Sequence, residues 1–216
     1  MEVVTLHWCL KKNIMSNGNF KITDFVHIKD HRIFHGKDQV FITEKSLGLD
    51  EFLKASYKKL EIAYPKFHKM DGLCKLGIIA SEILFKDHFI SPDTALVFSN
   101  SASSLETDKK HQQAMGGMVS PAVFVYTLPN IVLGEISIKH KLLGENVFFV
   151  ENRFNPELLR DYAEVLLEAK KTPAVVCGWI DLKNAEYDVF LCLISKEGEI
   201  PLSKENLKQL YLFENE

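Results

Sequence analysis

The chain has 216 residues, of which 46% are apolar and 25% charged, and a net charge of −3. A chain of this size and apolar content builds one large domain, or a tight pair, around a core that needs no disulfide or metal staple. The near-neutral balance supplies no electrostatic reason to bind nucleic acid or an anionic membrane surface.

Residues 1–45 read as strand-rich. Val3–Leu10 has strand character, Ser16-Asn17-Gly18-Asn19 signals a turn, and Val40–Thr43 is a second short strand. The start, Met1-Glu2-Val3-Val4-Thr5, lacks the basic n-region of a signal peptide. A helix is predicted over Asp50–Ala63, closed by Tyr64-Pro65. Asp71–Lys86 is the stronger helix. Leu73, Leu76, Ala80, Ile83 and Leu84 recur at spacings of three and four, and Ile78 and Ile79 widen the apolar surface, so it should be well buried. Thr94–Phe98 reads as a central strand. A serine-rich loop follows, with Ser103 and Glu106 as a capping box for a helix running to Met115.

Gly116-Gly117 breaks the chain, and Pro121–Lys141 carries a helix interrupted at Pro129. Val147–Glu151 is a strand. Asn155 and Pro156 fit the N-cap and first position of a helix that buries Leu158, Leu159, Tyr162, Ala163, Leu166 and Ala169. Ala174–Ile180 and Tyr187–Ile194 pair as a hairpin, and Lys204–Phe213 is a closing helix. Strands alternating with helices predict a layered α/β fold, and the terminal hairpin makes its sheet mixed. Residues 1–216 are read as a single domain. No apolar run reaches the ~18 residues of a membrane span.

Local chemistry is sparse. Cys9, Cys74, Cys177 and Cys192 stand far apart with no C-x-x-C pair, which points to a reducing, cytoplasmic setting. His27, His31 and His35 would share one face of a helix and could bind a metal there. Their neighbours Val26, Ile28, Ile33, Phe34 and Gly36 read instead as strand or loop, so solvent-facing histidines and no metal site are expected. Ser99, Ser101, Ser103 and Ser104 follow a strand as a hydrolase nucleophile would, but without a G-x-S-x-G elbow; capping and a tight turn explain them. Neither a Walker motif nor G-x-G-x-x-G occurs, and no cofactor is expected.

The run from Ser120-Pro121 through Pro129-Asn130 and Leu143-Gly144 to Val147-Phe148-Phe149-Val150 resembles the segment of β-ketoacyl synthases that leads up to their nucleophilic cysteine. Lys69-Met70-Asp71 with Ala80, Ala95–Asn100, and Ala174–Trp179 resemble further segments of that family, so the resemblance covers mainly residues 65–195. It implies a thiolase-like half-fold. Counting from Gly144, the cysteine position falls near Arg153, between Asn152 and Phe154. A condensation of this type needs a thiolate to carry the acyl chain, which arginine cannot supply. The chain also ends where the first half of a synthase ends, so the histidine donors of the second half are expected to be missing.

The resemblance is thus to short, N-terminal-like ketosynthases without the cysteine. It implies a non-catalytic, chain-length-factor-like partner of a full-length synthase in fatty-acid or polyketide (polyene-type) synthesis, working on acyl chains carried by an acyl carrier protein. Catalytic residues are then none, and Met118, Phe124, Thr127 and Asn130 become the candidate partner or acyl contacts. A lone half-fold should expose apolar surface, with residues 120–135 and the 174–194 hairpin as candidates for a homo- or hetero-oligomeric contact. Two alternatives stay open: an acyltransferase with an unrecognised nucleophile, and a self-associating binding module of the same fold without acyl chemistry.

Overall fold

The computed structural model describes residues 20–117 and 121–213. The strand expected at Val3–Leu10, the turn at Ser16–Asn19 and candidate Met118 lie outside them. The described chain opens with an antiparallel meander, β1 (Lys21–Lys29), β2 (Arg32–His35) and β3 (Asp38–Ile42). Two left-handed residues, Asp30 (φ 50°) and His31 (φ 61°), close the first turn. Consecutive positive φ values match the twist of a two-residue hairpin. Helix α1 (Leu49–Lys59), a 3₁₀ turn (Pro65–Lys69), α2 (Gly72–Phe85), β4 (Ala95–Asn100), α3 (Leu105–Ala114), α4 (Pro121–Val125) and α5 (Ile131–His140) follow. Then come β5 (Asn146–Val150), α6 (Pro156–Glu168), β6 (Val175–Lys183), β7 (Glu186–Ser195), β8 (Ile200–Pro201) and α7 (Lys204–Tyr211).

The strands form one sheet in the order β3-β2-β1-β7-β6-β4-β5, with β8 also on β1. β4 runs parallel to β5 and β6, and the other pairings are antiparallel. The predicted mixed sheet is therefore present. Side chains alternate between two cores, as the two-residue strand period requires. Leu96 and Phe98 of β4 face α2, α1 and α5, while Ala95 and Val97 face α6 and α7.

The burial expected of α2 is present, and one expectation about exposed surface is corrected. Helix α2 buries 11 of its 14 residues, because α1, α5 and Phe67 of the 3₁₀ turn wrap its outer side. Gly77 lets α5 come close: a Cβ there would sit 2.4 Å from the Val132 side chain. The half-fold covers its own central helix. The hairpin β6–β7, closed by left-handed Asn184 and Ala185, lies in the middle of the sheet between both helix layers, and its core residues Val176, Cys177, Ile180, Phe190, Leu191 and Cys192 are fully buried. It is core rather than contact surface.

Caps agree with the sequence reading in part. The Asn155 carboxamide accepts from Leu158 N (3.1 Å) with Pro156 opening α6. Asp71 caps α2 through Cys74 N (2.9 Å). The capping box at Ser103 is corrected: Ser103 is left-handed (φ 52°) and Ser104 is the N-cap of α3. Helix α1 stops at Lys59, short of Ala63, as Glu61 turns left-handed (φ 52°).

Candidate functional site

The crossover leaving β4 ends in α5 on the α2 side of the sheet, and the one leaving β5 ends in α6 on the opposite side. Neighbouring parallel strands whose connections diverge open a crevice at their carboxyl ends, where α/β proteins place ligands. Two loops line it here, residues 101–104 and 151–155.

The first loop is held tightly. Asp181 Oδ1 accepts from Ser101 N (2.9 Å) and Ala102 N (3.1 Å), and its Oδ2 accepts from Ser101 Oγ (2.7 Å). The Asn100 carboxamide bonds both the N–H (2.9 Å) and the carbonyl (2.8 Å) of Ser103. Ser99 Oγ donates to Gly178 O, and Ser104 Oγ donates to Thr127 O (2.6 Å). These hydroxyls shape the turn, as expected, and none bonds an imidazole.

The second loop carries the position singled out by counting. Glu151 N extends the ladder by donating to Asn100 O (2.8 Å), and the Asn155 amide donates to Glu151 (3.0 Å). Between them Asn152 and Arg153 are exposed, whereas Phe154 turns inward and stacks on Tyr211 at 4.1 Å. Arg153 therefore projects from the β5–α6 turn, beside a cleft of about 480 Å³ lined also by Asn152, Glu157 and Lys204. Among the described residues no histidine lines this cleft. The described thiols lie elsewhere. Cys74 is buried in α2, where burial pushes it well above its ordinary range. Cys177 and Cys192 face each other across β6 and β7, 3.5 Å apart and fully buried. Buried, protonated thiols are poor nucleophiles. A larger cleft, about 880 Å³, opens at the other pole near the starts of β4 and β6, among Phe89, Asp93, Lys170 and Ala174. The carboxyl ends of helices α2 and α6 point toward that pole, away from the crevice.

The candidate contact residues separate. Phe124 is 61% exposed, and Val125 (49%), Leu128 (57%) and Met115 (65%) are similarly open. Thr127 is half-buried, and its hydroxyl donates to Phe124 O (2.7 Å), so it closes the turn. Asn130 is exposed at the start of α5 without capping it by its side chain. A second apolar surface was not singled out by sequence. β5 pairs only with β4, leaving its outer edge open among the described residues, with Val147, Phe148 and Phe149 half-buried and Val150 exposed. An open, apolar edge strand is a template for pairing with another chain.

The histidines are corrected. His27 is buried, with Nε2 3.2 Å from Asp188 Oδ1, while Tyr211 donates to Asp188 Oδ2 (2.5 Å). His31 Nε2 contacts Leu47 O (2.8 Å). His35 shares Asp24 Oδ2 with His88, at 2.5 and 2.8 Å. Each is spent on a structural partner, and no cluster among the described residues is arranged to hold a metal. The described residues contain no helix long and apolar enough to cross a membrane.

This architecture is the thiolase-like half-fold found in ketosynthases. A solved ishigamide ketosynthase/chain length factor matches with a TM-score of 0.66 at 17% identity, over 85% of this chain and 64% of that one. A complex of the ketosynthase ApeO with its chain length factor ApeC from Xenorhabdus doucetiae matches at 0.57 and 14% identity, over 89% of this chain and 90% of the other. A β-ketoacyl synthase from Burkholderia phymatum matches at 0.59 and 14% identity, over 83% of this chain and 59% of that one. The chain thus spans less than two thirds of the first and third of these. No protein-family model and no curated protein matches the sequence.

Proposed function

We propose that this chain is the non-catalytic, chain-length-factor-like partner of a β-ketoacyl-[acyl-carrier-protein] synthase in fatty-acid or polyketide synthesis. The observation that carries the reading is Arg153, exposed in the turn after β5 where the acyl-accepting cysteine is expected, with no thiol in the loop and no imidazole around the cleft among the described residues. Acyl transfer needs a nucleophile and a base to activate it. A guanidinium supplies neither at neutral pH.

The fold adds support: the match to the ApeO–ApeC complex covers 89% of this chain and 90% of that one, so a chain of this fold occurs in a ketosynthase–chain length factor pair. The partner surfaces in this reading are the open edge of β5 and the apolar residues Phe124, Val125 and Leu128. Both suit a second thiolase-fold chain. Strand edges satisfy each other's backbone groups, and exposed aromatic and aliphatic side chains anchor interface centres.

The test is coexpression with the synthase from the same source, with mass measured by light scattering and condensation assayed on acyl- and malonyl-carrier protein. A defined complex is expected, with turnover only when the synthase is present. A chain that stays monomeric beside every synthase of its cell, or that turns over alone and loses turnover on one substitution, overturns the reading.

A further inference from the structure

Among the described residues, the segment that presents Phe124, Val125 and Leu128 sends one side chain, Tyr126, into the apolar core. It is the buried aromatic of residues 123–128, at 8% exposure, while Phe124, Val125 and Leu128 are exposed. Polar ties add to this packing. Tyr126 OH donates to Glu135 Oε1 of α5 (3.1 Å), and Ser104 Oγ donates to Thr127 O (2.6 Å). Glu135 is itself buried, at 3% exposure, and its Oε2 lies 2.8 Å from Lys66 Nζ on the 3₁₀ turn.

A buried carboxylate is costly unless its charge is matched and its oxygens accept hydrogen bonds. Among the described residues Glu135 faces the Lys66 ammonium and the Tyr126 hydroxyl, with Tyr64 beside it. The two segments are not joined by neighbouring sequence: Lys66 and Tyr126 stand on opposite sides of Glu135's helix-packing partners in chain order. Burial, with Glu135 beside it, pushes the Tyr126 hydroxyl far above its ordinary range, so it stays a donor at every physiological pH.

We propose that Glu135 and Tyr126 form a clamp that positions the outward apolar segment 123–128 for docking, with Lys66 holding the carboxylate in place. This rests on the docking reading above, and its test is independent of any partner. The clamp makes part of the segment's order depend on the Tyr126 hydroxyl, whereas a purely packed segment would depend only on apolar contacts, which a Tyr→Phe change leaves alone.

The experiment is hydrogen exchange by mass spectrometry on the full chain, comparing the unmodified protein with Tyr126→Phe and Glu135→Gln. In Tyr126→Phe the amides of residues 123–128 should exchange about tenfold faster, the order expected for losing a hydrogen bond to a charged acceptor, while β6 and α2 keep their rates. Glu135→Gln retains a carbonyl acceptor for Tyr126 but loses the charge opposite Lys66. It should leave 123–128 near its original rate and speed exchange at residues 65–70. Unchanged exchange at 123–128 in Tyr126→Phe overturns the clamp, as does a uniform rise across α2 and β6, which would make Tyr126 an ordinary core residue. Failure of the clamp leaves association through Phe124 untouched, and failure of association leaves this exchange pattern untouched.

Discussion

Truncating Phe124 to alanine separates surface from core. The residue is 61% exposed, so about 40% of its surface is lost to water already, chiefly beside His111, whose ring centroid lies 5.4 Å away. Taking ~200 Å² for a phenylalanine, folding buries about 80 Å², worth at most ~2 kcal/mol at ~25 cal/mol per Å². That corresponds to a fall in Tm of about 4–8 °C or less for a chain of this size. A core phenylalanine would cost ~3–5 kcal/mol. A partner that covers the remaining ~120 Å² gains about 3 kcal/mol from this side chain, or on the order of 100-fold in Kd. The assay is calorimetric titration of the synthase with each form, beside thermal melting of each form alone. A core-sized loss of stability with unchanged affinity per folded molecule would refute the argument.

Four further outcomes are expected. Gly178→Ala should cost about 3 kcal/mol or more in a denaturant melt, because its Cβ would meet Phe190 O at 2.0 Å and the Leu191 backbone at 2.9 Å, opening the β6–β7 ladder; a loss under ~1 kcal/mol contradicts this. Burial raises the Asp188 carboxyl, but hydrogen bonds from His27 and Tyr211 outweigh it and hold the group below its ordinary 3.8. The stability this provides is complete above that value and lost as pH falls below it, so Tyr211→Phe should lower stability by ~1–2 kcal/mol at pH 7, with the gap closing in acid. Burial raises Glu164 above its ordinary range against the partial offset of Arg160, whose Nε is 3.9 Å away. Its contribution is present in acid and lost as pH rises through the raised value, so Glu164→Gln should melt higher at pH 8 by about 2–4 °C and match the parent near pH 4. Arg153→Cys should create no condensing activity in the isolated chain, since among the described residues no imidazole lines the cleft to polarise a thioester; turnover by that variant alone refutes this.

Several elements could be read without any fold. The three-and-four spacing from Leu73 to Leu84 marks a helix because one helical face must be apolar, and α2 occupies Gly72–Phe85. Asn155-Pro156 marks a helix start because the cap and the fixed proline φ act within one turn, and α6 begins there. The missing thiol near Arg153 is also legible, since absence in a window needs only a count. The meander's first turn was not legible, because Asp30-His31 lacks the glycine that usually marks left-handed pairs. The open edge of β5 was not legible either, because strand order depends on which crossovers pass which face.

Two placements show most clearly where local reading stops. Spacing and neighbours put His27, His31 and His35 at the surface, yet His27 and His35 are held by Asp188 and Asp24, and the partner of His27 is 161 residues away. Phe124, Val125 and Tyr126 are alike in composition, yet Tyr126 is buried and its two neighbours face outward. Chain-local physics determines helix faces, caps and the absence of a cysteine near Arg153. Which apolar residue enters the core and which stays exposed is decided by tertiary packing: Tyr126 joins the core under α2 and α5, while Phe124 and Val125 stay outside, and that arrangement exists only once the sheet and its two helix layers have assembled.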